Sequence, residues 1–149
     1  MPLLERARSL FSRTFQVRGV SMEPAFMEGA SVRIDPFAYA SRLPQRRDVV
    51  SLRAPSSPDR FELKRIIGLP GDSVSWRGSD VWVNGEPLDE PCARTAPPVP
   101  GESTHTLNLG PGEYFVAGDN RLYSQDSRAY GAVRDMEITG KVLAGHTHV

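Results

Sequence analysis

From Phe15 onward the chain is cut every few residues by glycine, proline or aspartate, and the pieces between the cuts are short and rich in Val, Ile, Phe and Trp. Thirteen glycines and thirteen prolines in 149 residues give the texture of strands joined by many turns. "TFQVRGV" alternates, "SVRIDPF" alternates after the turn "MEGA", and "RDVVSL" is a compact β-branched run. The longest candidate strand is "RFELKRIIGL", closed by the Pro-Gly turn of "PGDSV". "SVSWRGSDVWVNGEPL" reads as two strands joined by a tight turn at Gly78, with a further turn at Asn84-Gly85. Residues 89–112, rich in Pro, Gly and Ser, predict a long exposed excursion, after which "EYFVAGDN" and "ITGKVLAGH" resume as strands. A mainly β fold with one good core is therefore expected, since a chain of this length hardly holds two.

The formal net charge is zero, so no nucleic-acid partner is implied. Cys92 is the single cysteine, which excludes an internal disulfide and a cysteine-built metal site. No segment approaches the roughly 20 apolar residues that span a bilayer. Leu3, Leu4, Ala7, Leu10 and Phe11 recur at helical spacing, with Arg6, Arg8 and Arg13 on the remaining surface. Residues 1–14 thus predict an amphipathic helix, either packed on its own domain or lying on an anionic membrane surface.

The three histidines, His105, His146 and His148, fall in the excursion and the tail. A Ser-His-Asp triad needs its histidine held rigidly by packing, and these positions do not promise that. A serine can instead be activated by a neutral lysine. Of 18 basic residues only Lys64 and Lys141 are lysine, and lysine, unlike arginine, sheds its proton when desolvated. Lys64 lies mid-strand in "FELKRIIGLPGDSV", where Glu62, Lys64 and Ile66 share one face and Ile67 and Leu69 add apolar bulk. Burial there would lower its pKa, while the bland alternative is a strand lysine with a wet head.

Ser21, in "RGVSMEPAF", ends an alternating strand just before Pro24, where a hydroxyl and nearby backbone N–H groups can be left free. "GDNRLYSQDSRAYG", residues 118–131, packs Asp119, Asn120, Arg121, Ser124, Asp126 and Arg128 beside the apolar run "YFVA". Such groups must satisfy one another or face a site. An Asp126–Arg128 pair could fix the loop and aim Ser124 at a neighbour.

Taken in order, "SMEPAF", "RRDVVSL", "KRIIGLPGDSV" and "GDNRLYSQDSRAYG" resemble the boxes of the bacterial type I signal peptidase family, serine endopeptidases that use a Ser-Lys dyad. The resemblance covers residues 15–142 and implies an antiparallel two-sheet catalytic fold. It divides the chain into the helix 1–14, core residues 15–75, a small inserted β and loop region 76–112, and core residues 113–149. Position by position, it implies Ser21 as nucleophile, Lys64 as general base, and Ser124 as the serine that hydrogen-bonds the lysine. It makes Asp126 and Arg128 the pair supporting that loop. A preprotein signal peptide, cut after an Ala-x-Ala-like site, would add as a strand between residues 15–18 and 61–63. Val17, Met22, Phe26, Phe61, Glu62 and Leu63 would contact it.

The resemblance implies no metal and no cofactor. It implies a place at the cytoplasmic membrane with the catalytic part on the extracytoplasmic face, although here only the amphipathic stretch precedes the core. Alternatives are a relative that processes one dedicated precursor, or a pseudopeptidase that binds extended peptides without cutting. The dyad reading carries a requirement: Lys64 must be buried, within reach of Ser21 and Ser124, and without a carboxylate partner such as Glu62.

Overall fold

The computed structural model describes residues 10–55, 57–90 and 93–146. In chain order its strands are β1 (Arg13–Gln16), β2 (Ser31–Asp35), β3 (Val49–Ala54), β4 (Ser57–Gly68), β5 (Ser73–Arg77), β6 (Asp80–Val83), β7 (Glu86–Pro87), β8 (His105–Asn108), β9 (Glu113–Ala117), β10 (Val133–Arg134) and β11 (Ile138–His146). One helical turn, α1 (Ser127–Tyr130), precedes β10. A large sheet has the order β1-β2-β11-β3-β4-β9-β10 and a small one the order β7-β6-β5-β8. Every pairing between these strands is antiparallel.

Burial follows position in the sheet. β2 alternates, with Val32 and Ile34 buried and Ser31 and Arg33 half-buried. β3 lies between β11 and β4, and its first four residues are all buried. The apolar side chains gather in three clusters. Val17, Met22, Val32 and Val142 pack beneath the β1–β2 connection. Val50, Leu52, Ile66 and Tyr114 form a second group. Ile67, Val74 and Phe115 join the two sheets. In the small sheet the two-residue loop Asn84-Gly85, with φ of 51° and 83°, joins β6 to β7, as the positive dihedrals of a type I′ turn require.

Three elements depart from expectation. β1 begins at Arg13, inside the stretch 1–14 expected to be helical, and ends at Gln16; Leu10 and Phe11 are helical, and residues 1–9 of that stretch lie outside those described. The backbone pairing beyond β1 continues only through Val17, whose N–H donates to Ala30 O at 2.8 Å. Residues 105–108, expected as part of the exposed excursion, form β8 and pair with β5. The small sheet begins at Ser73, slightly before the region 76–112 expected to be inserted. It leaves the large sheet after β4 and returns at β9.

Candidate active site

Lys64 lies on the face of β4 shared by Glu62 and Ile66, opposite Val50 on β3. That apolar setting leaves it only 3 % exposed. Its Nζ reaches Ser21 Oγ at 3.1 Å. Burial carries its pKa below the ordinary lysine value, against the upward pull of the Glu62 and Asp126 carboxylates, while Arg128 adds to the lowering. A wet, snorkelling head is excluded by the burial.

Ser21 sits in the turn between β1 and β2, and neighbouring segments hold that turn from both sides. Asn120 N donates to Ser21 O at 2.9 Å, and Asn120 Nδ2 donates to Val20 O at 3.1 Å. Phe26 N donates back to Met22 O at 2.9 Å, closing the turn on itself. Gly118 passes so close that a Cβ there would fall 2.5 Å from Ser21 O and 2.3 Å from Ser124 Oγ. Asn120 was legible only as one member of a polar cluster. What could have marked it is that a buried amide following a core strand must find a backbone partner.

The loop after β9 is built around a buried carboxylate. Asp126 accepts from Gly118 N at 3.0 Å, Ser124 Oγ at 2.8 Å, and Arg128 Nε and Nη2, both at 2.9 Å. Burial pushes its pKa up, but the Arg128 pair and these hydrogen bonds outweigh it and hold the carboxyl below the usual range. Arg128 also donates to Gly78 O at 3.2 Å and Arg121 O at 3.0 Å, tying the loop to the small sheet. Arg121 in turn pairs with Glu90, and Arg65 grips Asp119 with two bonds of 2.8 and 2.7 Å.

A groove of about 1160 Å³ runs past Ser21 and Lys64. Residues 15–18, residues 60–64, Ser21 and Met22 all line it. β9 pairs with β4 only from Arg65 onward, so residues 61–63 keep one strand edge without a partner strand. Val17, Met22, Phe61, Glu62 and Leu63 all line the groove. Phe26 is not among the lining residues; it packs against the cluster of Val17, Met22 and Val32, as Leu63 does.

Two details of the expected site are corrected. Ser124 Oγ donates to Asp126 at 2.8 Å, and among the described residues no hydrogen bond joins it to Lys64. Lys64 is also not free of carboxylates: Glu62 Oε2 lies 3.7 Å from its Nζ. Residues two apart on a strand share a face, so this neighbour follows from the pleat. The contact with Ser21 is the shorter of the two, and burial still prevails over Glu62 in setting the direction of the pKa.

Among the described residues no helix is long and apolar enough to cross a membrane. The family model described as "Signal peptidase, peptidase S26" matches residues 3–146. "Signal peptidase I V" of Bacillus subtilis (strain 168) is 34 % identical over 139 residues, covering 86 % of this chain and 82 % of that protein. "Signal peptidase IB" of Staphylococcus aureus (strain Mu50) is 30 % identical over 143 residues, covering 86 % and 74 %. The crystal structure of a signal peptidase I from Enterococcus faecalis V583 superposes with a TM-score of 0.56 at 32 % identity, covering 69 % of this chain and 98 % of that one. With its mainly β, two-sheet fold and a family match over nearly its whole length, the chain belongs to the signal peptidase family, peptidase S26.

Proposed function

We propose that this protein is a serine endopeptidase that removes signal peptides from exported preproteins, cutting after Ala-x-Ala-like sites with Ser21 as nucleophile and Lys64 as general base. The observation that carries this reading is the 3.1 Å contact between a buried lysine amine and a serine hydroxyl on the floor of a groove. As an ammonium, Lys64 donates to Ser21 Oγ. Once deprotonated, the same contact lets the hydroxyl donate to the amine.

Ser21 Oγ then attacks the scissile carbonyl carbon as its proton passes to Lys64 Nζ. The tetrahedral oxyanion is met by the Ser21 N–H, which the grip of Asn120 on the Val20 and Ser21 carbonyls orients. Collapse breaks the C–N bond, and the leaving amine takes the proton from Lys64, leaving an ester on Ser21. Water attacks that ester as Lys64 accepts its proton; the ester C–O bond breaks, the proton returns to Ser21 Oγ, and the signal peptide leaves with a new C-terminal carboxylate.

The substrate lies in the groove as an added strand, its backbone meeting the unpartnered edge of residues 61–63 and the facing residues 15–18. Val17, Met22 and Leu63 beside the dyad favour small side chains next to the cut. The extracytoplasmic face of the cytoplasmic membrane is the working place that the family resemblance implies, and membrane contact is supported by Phe15, Phe37 and Phe61, which are 47, 53 and 61 % exposed along the groove.

The test is to incubate purified protein with a peptide carrying one Ala-x-Ala site and read the products by mass. Cleavage after the second alanine is expected from the natural chain and none from Ser21→Ala. Cleavage by Ser21→Ala at the full rate would remove Ser21 from the mechanism.

A further inference from the structure

Glu62 is placed oddly for a residue beside a neutral base. Its Oε2 is buried and has no hydrogen-bond partner among the described residues. At 3.7 Å from Lys64 Nζ it is too far for a hydrogen bond and close enough for an ion pair. Glu62 lines the groove, as Ser21 does, and its side chain is 29 % exposed.

Other charges around the base are already engaged. Asp126 also pulls on Lys64, but its oxygens are already held by Arg128, Ser124 and Gly118. From β3, Val50 and Leu52 present only apolar groups opposite Lys64 and Glu62. From α1, the ring of Tyr130 belongs to the cluster that holds Ile66, Val50 and Leu52, and its hydroxyl is buried without a partner. Arg128 repels the ammonium but is held on Asp126. Glu62 is therefore the anion with charge to spare next to the base.

We propose that Glu62 is a positioning residue for the reaction of this site: it holds Lys64 as the ammonium in the resting groove, so that the free base forms only as pH rises or as a bound strand breaks the pair. The proposal rests on the dyad reading. Its sign is fixed, because an adjacent anion favours the charged lysine and its removal must favour the amine. The dyad would thus work at a higher pH than the same groove with a neutral residue at position 62.

The chain offers a direct probe, because Lys64 and Lys141 are its only lysines. Lys141 pairs with Asp48 at 3.0 Å and gives the second lysine signal. Protein labelled with 13C at lysine Cε is followed through its Lys64 signal in the natural chain and in Glu62→Gln. The expected result is a Lys64 midpoint about one pH unit lower in Glu62→Gln. The acid limb of kcat/KM for an Ala-x-Ala peptide should move by the same amount, giving about tenfold more activity on that limb. An unmoved Lys64 midpoint in folded Glu62→Gln would overturn the proposal, and Glu62→Leu, which also lacks the charge, must agree. Failure of the dyad reading would look different: Ser21→Ala would retain activity whatever Glu62 does to the Lys64 titration.

Discussion

Lys64 is a lysine in a chain that otherwise uses arginine, and its surroundings explain the choice. Arginine would stay charged in the same place, whereas a lysine 3 % exposed beside Val50 and Ile66 can become an amine. Because its folded pKa lies below the ordinary value near 10.4, kcat/KM should rise with pH and level off below that value, which a pH–rate profile will show. Gly118 makes a second prediction at this scale. A methyl group there would collide with Ser21 O and Ser124 Oγ, and a backbone carbonyl cannot step aside as a side chain can. Gly118→Ala should cost about 1–3 kcal/mol of stability and most of the activity, as read by thermal melting and peptide cleavage. At this scale the sequence made the proposed dyad legible because Lys64 sits in a long, specific motif that comes in order with the short one holding Ser21, which is weak alone. It did not show where the Ser124 hydroxyl points, since the choice between Lys64 and Asp126 depends on distances that spacing does not encode.

The element that matters most after β4 is the loop between β9 and α1. Its buried Asp126–Arg128 pair fixes the backbone around Gly118 and Ser124 and fastens it to Gly78 in the small sheet. Asp126→Asn breaks a buried ion pair and leaves Arg128 without its carboxylate, a loss of about 3–5 kcal/mol. For a chain of this size that lowers Tm by roughly 10 °C, measurable by calorimetry. The pH sign is definite. The folded pKa of Asp126 is depressed, so its stabilisation is complete above the unfolded value near 3.9 and disappears as pH falls through the folded value. Asp126→Asn should lack that part of the acid sensitivity. Most strands were legible as alternating runs between Gly and Pro. β8 was not, because "HTLN" is four residues after a Pro-rich stretch and becomes a strand only by pairing with β5. β10, two residues long and paired with β9, has the same cause.

Over the whole molecule, the sheet order separates β1 from β4 by three strands, yet residues of both line one groove. The sheet must curl to bring them across from each other, which is how a strand-shaped substrate can be held on both sides. Alternation and turn signals predict strands and their faces, not the curl, so the groove was expected only through the family resemblance. The apolar rim of Leu10, Phe11, Phe15, Phe37 and Phe61, each well exposed, belongs to this scale. The protein should float with vesicles containing anionic lipid, and replacing Phe15 and Phe61 by serine should weaken that binding. Equal flotation of the variant would assign membrane contact to another surface.

The central claim is that a neutral Lys64 activates Ser21, and Lys64→Arg tests it most directly. Arginine keeps the positive charge and much of the length but cannot act as a base at working pH. The account predicts that Lys64→Arg still melts cooperatively and keeps its β-sheet circular dichroism, while cleavage of an Ala-x-Ala peptide falls by about a hundred- to ten-thousandfold. Cleavage by the folded variant at the natural rate would contradict it.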